Sequence, residues 1–208
     1  ACVVASAPFN MTVLASPTTT LVNDDNGDNT ICLGTPVVFT ASGATNYEFF
    51  VDGVSVQGPS TNTVYSTSNL IYGQQVTVIG ESNTCLVQQT QTFNVLNNPT
   101  VSFFSTDMDN TICDGDAIDF IGANAGTYEF FVNGSSVQGP SSQTTLSNPA
   151  LNIGINPVQV VGIAGNGCTD TSAIINVTVN AIPTITLISS DSDDIICANE
   201  QVIFTGTG

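Results

Sequence analysis

The feature that most constrains this chain is that it repeats itself, and a missed repeat miscalls a whole fold. Six cysteines mark the period. One class stands ahead of an apolar run: Cys32 in Ile-Cys-Leu-Gly, Cys113 in Ile-Cys-Asp-Gly and Cys197 in Ile-Cys-Ala-Asn, at intervals of 81 and 84. The other class follows turn residues: Cys2, Cys85 and Cys168, at intervals of 83 and 83. The segment Tyr47–Ser60 (YEFFVDGVSVQGPS) returns as Tyr128–Ser141 (YEFFVNGSSVQGPS), changed only at Asp52/Asn133 and Val54/Ser135. Pro17, Pro99 and Pro183 stand just before each new copy. The spacing divides the chain into residues 1–15, the C-terminal strand of a preceding repeat; 16–97 and 98–181, two full repeats; and 182–208, the start of a following one. The period is about 82. On this reading the parent protein continues on both sides.

Within a repeat the pattern is short apolar-alternating runs broken by turn residues, with no helical period. The first full copy reads as strand A at 18–22, B at 36–41, C at 47–51, a turn at Asp52-Gly53 into 54–57, E at 63–67, F at 75–80 and G at 89–96. Asp-Gly and its counterpart Asn133-Gly134 are two-residue hairpin signals. Seven short strands in about 80 residues predict an all-β fold of tandem immunoglobulin-like β-sandwich repeats. Phe49 and Phe130 fall where such sandwiches place a large core aromatic on strand C. Phe50 and Phe131 point the other way, beside Glu48 and Glu129, and are expected to be partly covered by the neighbouring hairpin strand. They are also the candidates for a lateral contact surface.

Charge narrows the function classes. The 208 residues contain no Lys, Arg or His against 17 Asp and Glu, a formal charge of −17. Nucleic acid is an implausible partner, because no cation is present to neutralise phosphate. Membrane insertion is not expected, since no run of ~18 apolar residues occurs. With 41% hydrophobic and only 8% charged residues, this is not an acidic disordered tail. The composition also removes Ser/His and Cys/His nucleophile systems and leaves only carboxylates for acid–base work. Asp170-Thr171-Ser172 has the form of an aspartic protease triplet but no second copy, and an enzyme is not expected.

The run Ile31-Cys32-Leu33-Gly34, then Val37-Val38-Phe39-Thr40-Ala41, then Tyr47-Glu48-Phe49, then a Cys after a turn, resembles the tandem Ig-like or PKD-like repeats of Bacteroidota surface proteins. Such repeats occur in very large adhesins exported by the type IX secretion system, gliding-motility adhesins among them. The resemblance covers the whole chain. It implies a fibre at the bacterial cell surface and supplies no catalytic residues. The family usually carries Trp at the position of Phe49, where this chain departs.

Regularly placed cysteines in a chain of extracellular character imply disulfides. Zinc is disfavoured, with no His and no Cys-x-x-Cys. Two schemes are open. One pairs within a repeat, Cys32–Cys85 and Cys113–Cys168. The other joins repeats through Cys32–Cys168, leaving Cys2, Cys85, Cys113 and Cys197 to neighbouring repeats outside this chain. In an Ig-like sandwich Cys32 precedes B and Cys85 follows F, at opposite poles roughly 20 Å apart. A disulfide tolerates Cα separations of only ~7 Å. The expectation therefore favours Cys32–Cys168.

Ahead of each first-class cysteine lies an acidic and amide cluster: Asp24, Asn26 and Asp28; Asp107, Asp109 and Asn110; Asp191, Asp193 and Asp194. Hard cations want several oxygens from a turning loop, which makes Ca²⁺ the candidate cofactor. The distal Glu of an EF-hand is missing. The alternative is a solvated loop rich in turn formers. Thirteen of the 17 acids are Asp and none has a cationic partner. The function expected from all this is a structural shaft for an extracellular adhesin or filament. A repeat that binds glycans or surfaces, and a self-assembling filament or surface-layer subunit, are the rivals. Neighbouring repeats of the same chain are the expected partners, with lateral self-association as a further expectation.

Overall fold

Alternating burial along short extended runs gives each repeat two layers. The computed structural model describes residues 2–208; Ala1, the first residue of the expected tail 1–15, lies outside them. Residues 2–19 carry no strand, and Val3, Val4, Phe9, Met11 and Val13 are exposed. The chain divides into two units, Ala1–Asn98 and Pro99–Gly208.

The described residues of the first unit form nine strands: β1 (Thr20–Asn23), β2 (Thr30–Cys32), β3 (Val37–Ser42), β4 (Asn46–Val51), β5 (Val54–Ser60), β6 (Val64–Thr67), β7 (Gln75–Ser82), β8 (Cys85–Thr92) and β9 (Asn94–Leu96). One sheet is ordered β1-β3-β6 and the other β5-β4-β7-β8, while β2 pairs in parallel with β9. These are strands A-B-E against C′-C-F-G, with β2 as a short A′ strand on G, which is the immunoglobulin-like arrangement. Inward positions of both sheets meet in one core containing Val37, Phe39, Phe49, Val76, Val78 and Phe93. Phe39 meets Phe93 edge-on, with ring centroids 5.4 Å apart.

The second unit repeats the plan with β10 (Ser102–Ser105), β11 (Thr111–Cys113), β12 (Asp119–Ala123), β13 (Thr127–Val132), β14 (Ser135–Ser141), β15 (Thr145–Ser147), β16 (Gly154–Ile163), β17 (Thr169–Thr171) and β18 (Ile175–Asn180). Its sheets are β10-β12-β15 and β11-β18-β16-β13-β14, with β17 also on β16. A last hairpin, β19 (Thr186–Ser189) with β20 (Phe204–Thr207), follows. Its register, Thr186↔Thr207 to Ser189↔Phe204, is that of Thr20↔Ser42 to Asn23↔Phe39 and of Ser102↔Ala123 to Ser105↔Phe120. The same A–B pairing thus occurs three times.

Phe49 and Phe130 have no accessible surface. Phe50 and Phe131 are half-buried on the opposite face. Tyr47 closes a corner, its hydroxyl donating to Ala44 O at 2.7 Å and accepting from Ala44 N at 2.8 Å. Tyr128 does the same with Ala125, at 2.9 Å each way. The differences from the sequence reading are local. Strand A begins two residues later than expected, and G is broken at Phe93, which turns into the core. The three-residue strand β2 is too short to show a period, and it stands between the acidic loop and strand B. That loop therefore joins A to A′.

Candidate functional site

Two features recur at fixed places in the repeat: the cysteines and the acidic loop. Cys32 ends β2 and is the register partner of Leu96 at the end of β9; Leu33 N donates to Leu96 O at 2.8 Å. It therefore sits at the pole where the last strand of its unit ends. Cys113 ends β11 in the same way, opposite Asn180. Cys85, by contrast, begins β8, directly after a turn in which Asn83 and Thr84 have φ of 49° and 68°. Cys168 follows the Asn166-Gly167 turn between β16 and β17, its N–H donating to Asn166 Oδ1 at 3.0 Å.

Within one unit the two classes lie at opposite ends of strand G. From Cys85 the chain climbs β8 and β9 to reach Leu96 beside Cys32. At ~3.3 Å per residue that is roughly 35 Å, far beyond the ~7 Å a disulfide spans. Cys32 and Cys168 are disulfide-bonded, and Cys2, Cys85, Cys113 and Cys197 carry free thiols. The bond is Cys32–Cys168 and not Cys32–Cys85.

The acidic loops are built by side chain-to-backbone bonds. Asp28 Oδ1 accepts from Thr30 N at 2.8 Å, Asp109 Oδ1 from Thr111 N at 3.0 Å, and Asp193 Oδ1 from Ile195 N at 3.2 Å. The next residue in each copy, Asn29, Asn110 and Asp194, is left-handed with φ of 53°, 56° and 57°. Asn and Asp tolerate that region better than other side chains. Asn29 Oδ1 accepts from Asn23 Nδ2 at 2.9 Å, and Asn110 Oδ1 accepts from Ser105 Oγ. Asp24 Oδ1 accepts from Val38 N at 2.8 Å, while Asn26 is exposed.

The Asp107 carboxyl is held below its usual range. The first cause is a hydrogen bond with the Asp109 side chain. Desolvation opposes it, and the N–H groups of Thr111, Asn110 and Asp109 reinforce it.

These bonds also identify residues that charge alone passed over. Asp25 N donates to Asn23 Oδ1 as Asp191 N donates to Ser189 Oγ, so Asp25, rather than Asp24 or Asn26, is the counterpart of Asp191. Oδ2 of both Asp25 and Asp191 is buried without a hydrogen-bond partner. Among the described residues no three His, Cys, Asp or Glu gather as a metal-ligand group. One oxygen of Asp28, Asp109 and Asp193 accepts from a backbone amide.

The C–C′ hairpins carry the same double bulge, with Tyr47↔Ser60, Phe49↔Gln57, Phe50↔Ser55 matched by Tyr128↔Ser141, Phe130↔Gln138, Phe131↔Ser136. Ser55 Oγ donates to Glu48 Oε1 at 2.7 Å and Ser136 Oγ to Glu129 Oε1 at 2.6 Å. Asp170 has a structural role: its Oδ2 accepts from Val101 N at 3.0 Å and its Oδ1 from Thr171 N at 2.9 Å.

Fold and site together define an all-β chain of immunoglobulin-like sandwich repeats carrying a disulfide. No family model matches the chain, and no curated protein matches it. Among solved structures it is similar to the fibronectin(III)-like modules of Clostridium thermocellum CbhA, at 10% identity over 78% of this chain and 95% of that one, with a TM-score of 0.42. It is also similar to the N-terminal eight Ig domains of Down Syndrome Cell Adhesion Molecule, at 9% identity over 83% of this chain and 28% of that one, TM-score 0.38. Immunoglobulin domains 1–4 of Sidekick-1 match at 15% identity over 78% of this chain and 48% of that one, TM-score 0.29.

Proposed function

We propose that this chain is a stretch of an extracellular structural shaft, of the kind that carries a bacterial surface adhesin or filament, in which disulfides tie consecutive repeats. The observation that carries the reading is the state of the cysteines. Cys32 from the A′ end of one repeat and Cys168 from the F–G turn of the next are oxidised, while their same-repeat counterparts Cys85 and Cys113 are free. By repeat equivalence, Cys85 and Cys113, with Cys2 and Cys197, take partners in further repeats. A peptide linker plus a disulfide gives each junction two covalent connections, which restricts bending and twisting. The sequence resemblance to repeats of Bacteroidota surface adhesins supports a cell-surface setting. No catalytic role is proposed, in a chain without Lys, Arg or His.

Imaging of the intact molecule tests the shaft. The expected result is an extended unbranched rod that becomes more flexible on reduction. A collapsed or freely jointed chain under oxidising conditions would overturn it. The matching outward faces of the two C–C′ hairpins favour a second reading, lateral self-association through Phe50 and Phe131, for which sedimentation should reveal concentration-dependent growth. Binding on a glycan array would instead favour the recognition module. Calcium at the A–A′ loops keeps one support, the partnerless Oδ2 oxygens of Asp25 and Asp191. A melting curve raised by millimolar calcium supports that element, and curves superimposable with chelator remove it.

A further inference from the structure

We infer that the Cys32–Cys168 bond carries tension past residues 33–167, so that under oxidising conditions only 1–32 and 168–208 can be drawn out. The inference takes its setting from the shaft reading, but the route follows from covalent connectivity. Tension entering at the N-terminal end runs along β1 and β2 to Cys32, the last residue of β2. It crosses the disulfide to Cys168 and leaves along β17 and β18. Residues 33–167, which include β3 to β9 and β10 to β16, form a closed covalent loop in parallel with that route. Both fully buried strand C aromatics, Phe49 and Phe130, lie inside the loop, as do Val76, Val78, Val158 and Val160. No pull on the ends can draw these residues out of line while the bond stands.

The lengths separate this route from its rivals. With Cys32–Cys168 closed, the extensible backbone is 1–32 and 168–208, 73 of the 208. At ~3.3–3.6 Å per residue that is roughly 250 Å, against roughly 700 Å for the open chain, so reduction lengthens the limit nearly threefold. A bond within the first repeat, Cys32–Cys85, would hide only 33–84, 52 in number, and leave roughly 530 Å.

The test is single-molecule extension of the 208-residue chain, held by its two ends, before and after reductant. The expected oxidised limit is about 250 Å, rising to about 700 Å on reduction, with Cys168→Ser and Cys32→Ser each giving the long limit throughout. An oxidised limit of about 530 Å, or one equal to the reduced limit, overturns the inference. A second measurement guards against misfolded variants. The same molecule pulled before and after reductant supplies it, because no variant is involved; an unchanged limit overturns the route. The shaft reading is judged by imaging and can fail while these lengths hold.

Discussion

At the scale of single residues, comparing the two full repeats shows which side chains are compensated. Thr19 is 4% exposed and its Oγ1 has no hydrogen-bond partner. The residue two after the repeat-opening proline in the second copy is Val101, packed against Gly162 as Thr19 is against Gly80. A buried hydroxyl without a partner costs about 1–3 kcal/mol. Thr19→Val should therefore raise stability by about 1 kcal/mol in urea melts, and a loss of stability would show that the hydroxyl is satisfied.

The Asp52/Asn133 difference has a similar cause. Asp52 Oδ1 accepts from Gln75 N at 2.9 Å. The matching position in the second repeat is Pro157, which has no N–H, and Asn133 Nδ2 donates instead to Oδ1 of the buried Asn156 at 3.0 Å. Asn133→Asp replaces that donor with a carboxylate facing a carbonyl oxygen. We expect it to cost about 1–2 kcal/mol by denaturant unfolding, with Asp52→Asn costing less.

At the scale of elements, the sequence announced most strands because alternation and Asp-Gly turns are local signals. It did not announce β2, whose Thr-Ile-Cys has no alternation to detect. That strand exists through its parallel pairing with the distant β9, Thr30 opposite Asn94 and Cys32 opposite Leu96. The acidic loop was visible as charge, but its equivalences were not. The first copy has one extra residue, so Asp24 and Asn26 stood out while Asp25 aligns by hydrogen bonding. The cluster's repeated Asp and left-handed Asn or Asp serve loop geometry, which composition cannot separate from metal binding. In this loop the depressed Asp107 carboxyl sets a pH dependence. The bond with Asp109 needs a proton shared by the two carboxyls, whereas the backbone N–H groups of Thr111, Asn110 and Asp109 favour the ionised form, so their contribution is present above the usual Asp range and is lost as pH falls through the lowered folded value. Asp107→Asn should flatten the acid limb of the stability curve below about pH 4. An unchanged limb would argue that the carboxyl is not depressed.

At the scale of the whole molecule, repetition was fully legible, because cysteine intervals of 81 to 84 and a nearly duplicated hairpin need no structure to be seen. The disulfide choice was legible only through topology, since sequence context sorts the cysteines into two classes but their pairing is decided by strand G holding the two classes of one repeat apart. Reduction removes a constraint on a loop of about 136 residues, which the chain-entropy model values at up to about 5 kcal/mol. Thermal melting with and without reductant should show the oxidised chain melting higher, and equal midpoints would mean the bond is strained or the reduced unfolded chain is already compact.

The recurrence of one A–B register in three copies has a kinetic consequence. β19 and β20 hold the register of β1 with β3 and of β10 with β12. Its partners stand 15 to 21 apart along the chain, whereas A′ meets G across 64. Closing the longer loop costs about 1 kcal/mol more in chain entropy, before any gain from burial. Each repeat is therefore expected to nucleate at its leading hairpin and to seal last at the parallel A′–G seam, next to the cysteine that must be oxidised. Pulse-labelled hydrogen exchange during refolding should find the amides of β3 and β12 protected before those of β9 and β18, and the reverse order would place the nucleus elsewhere.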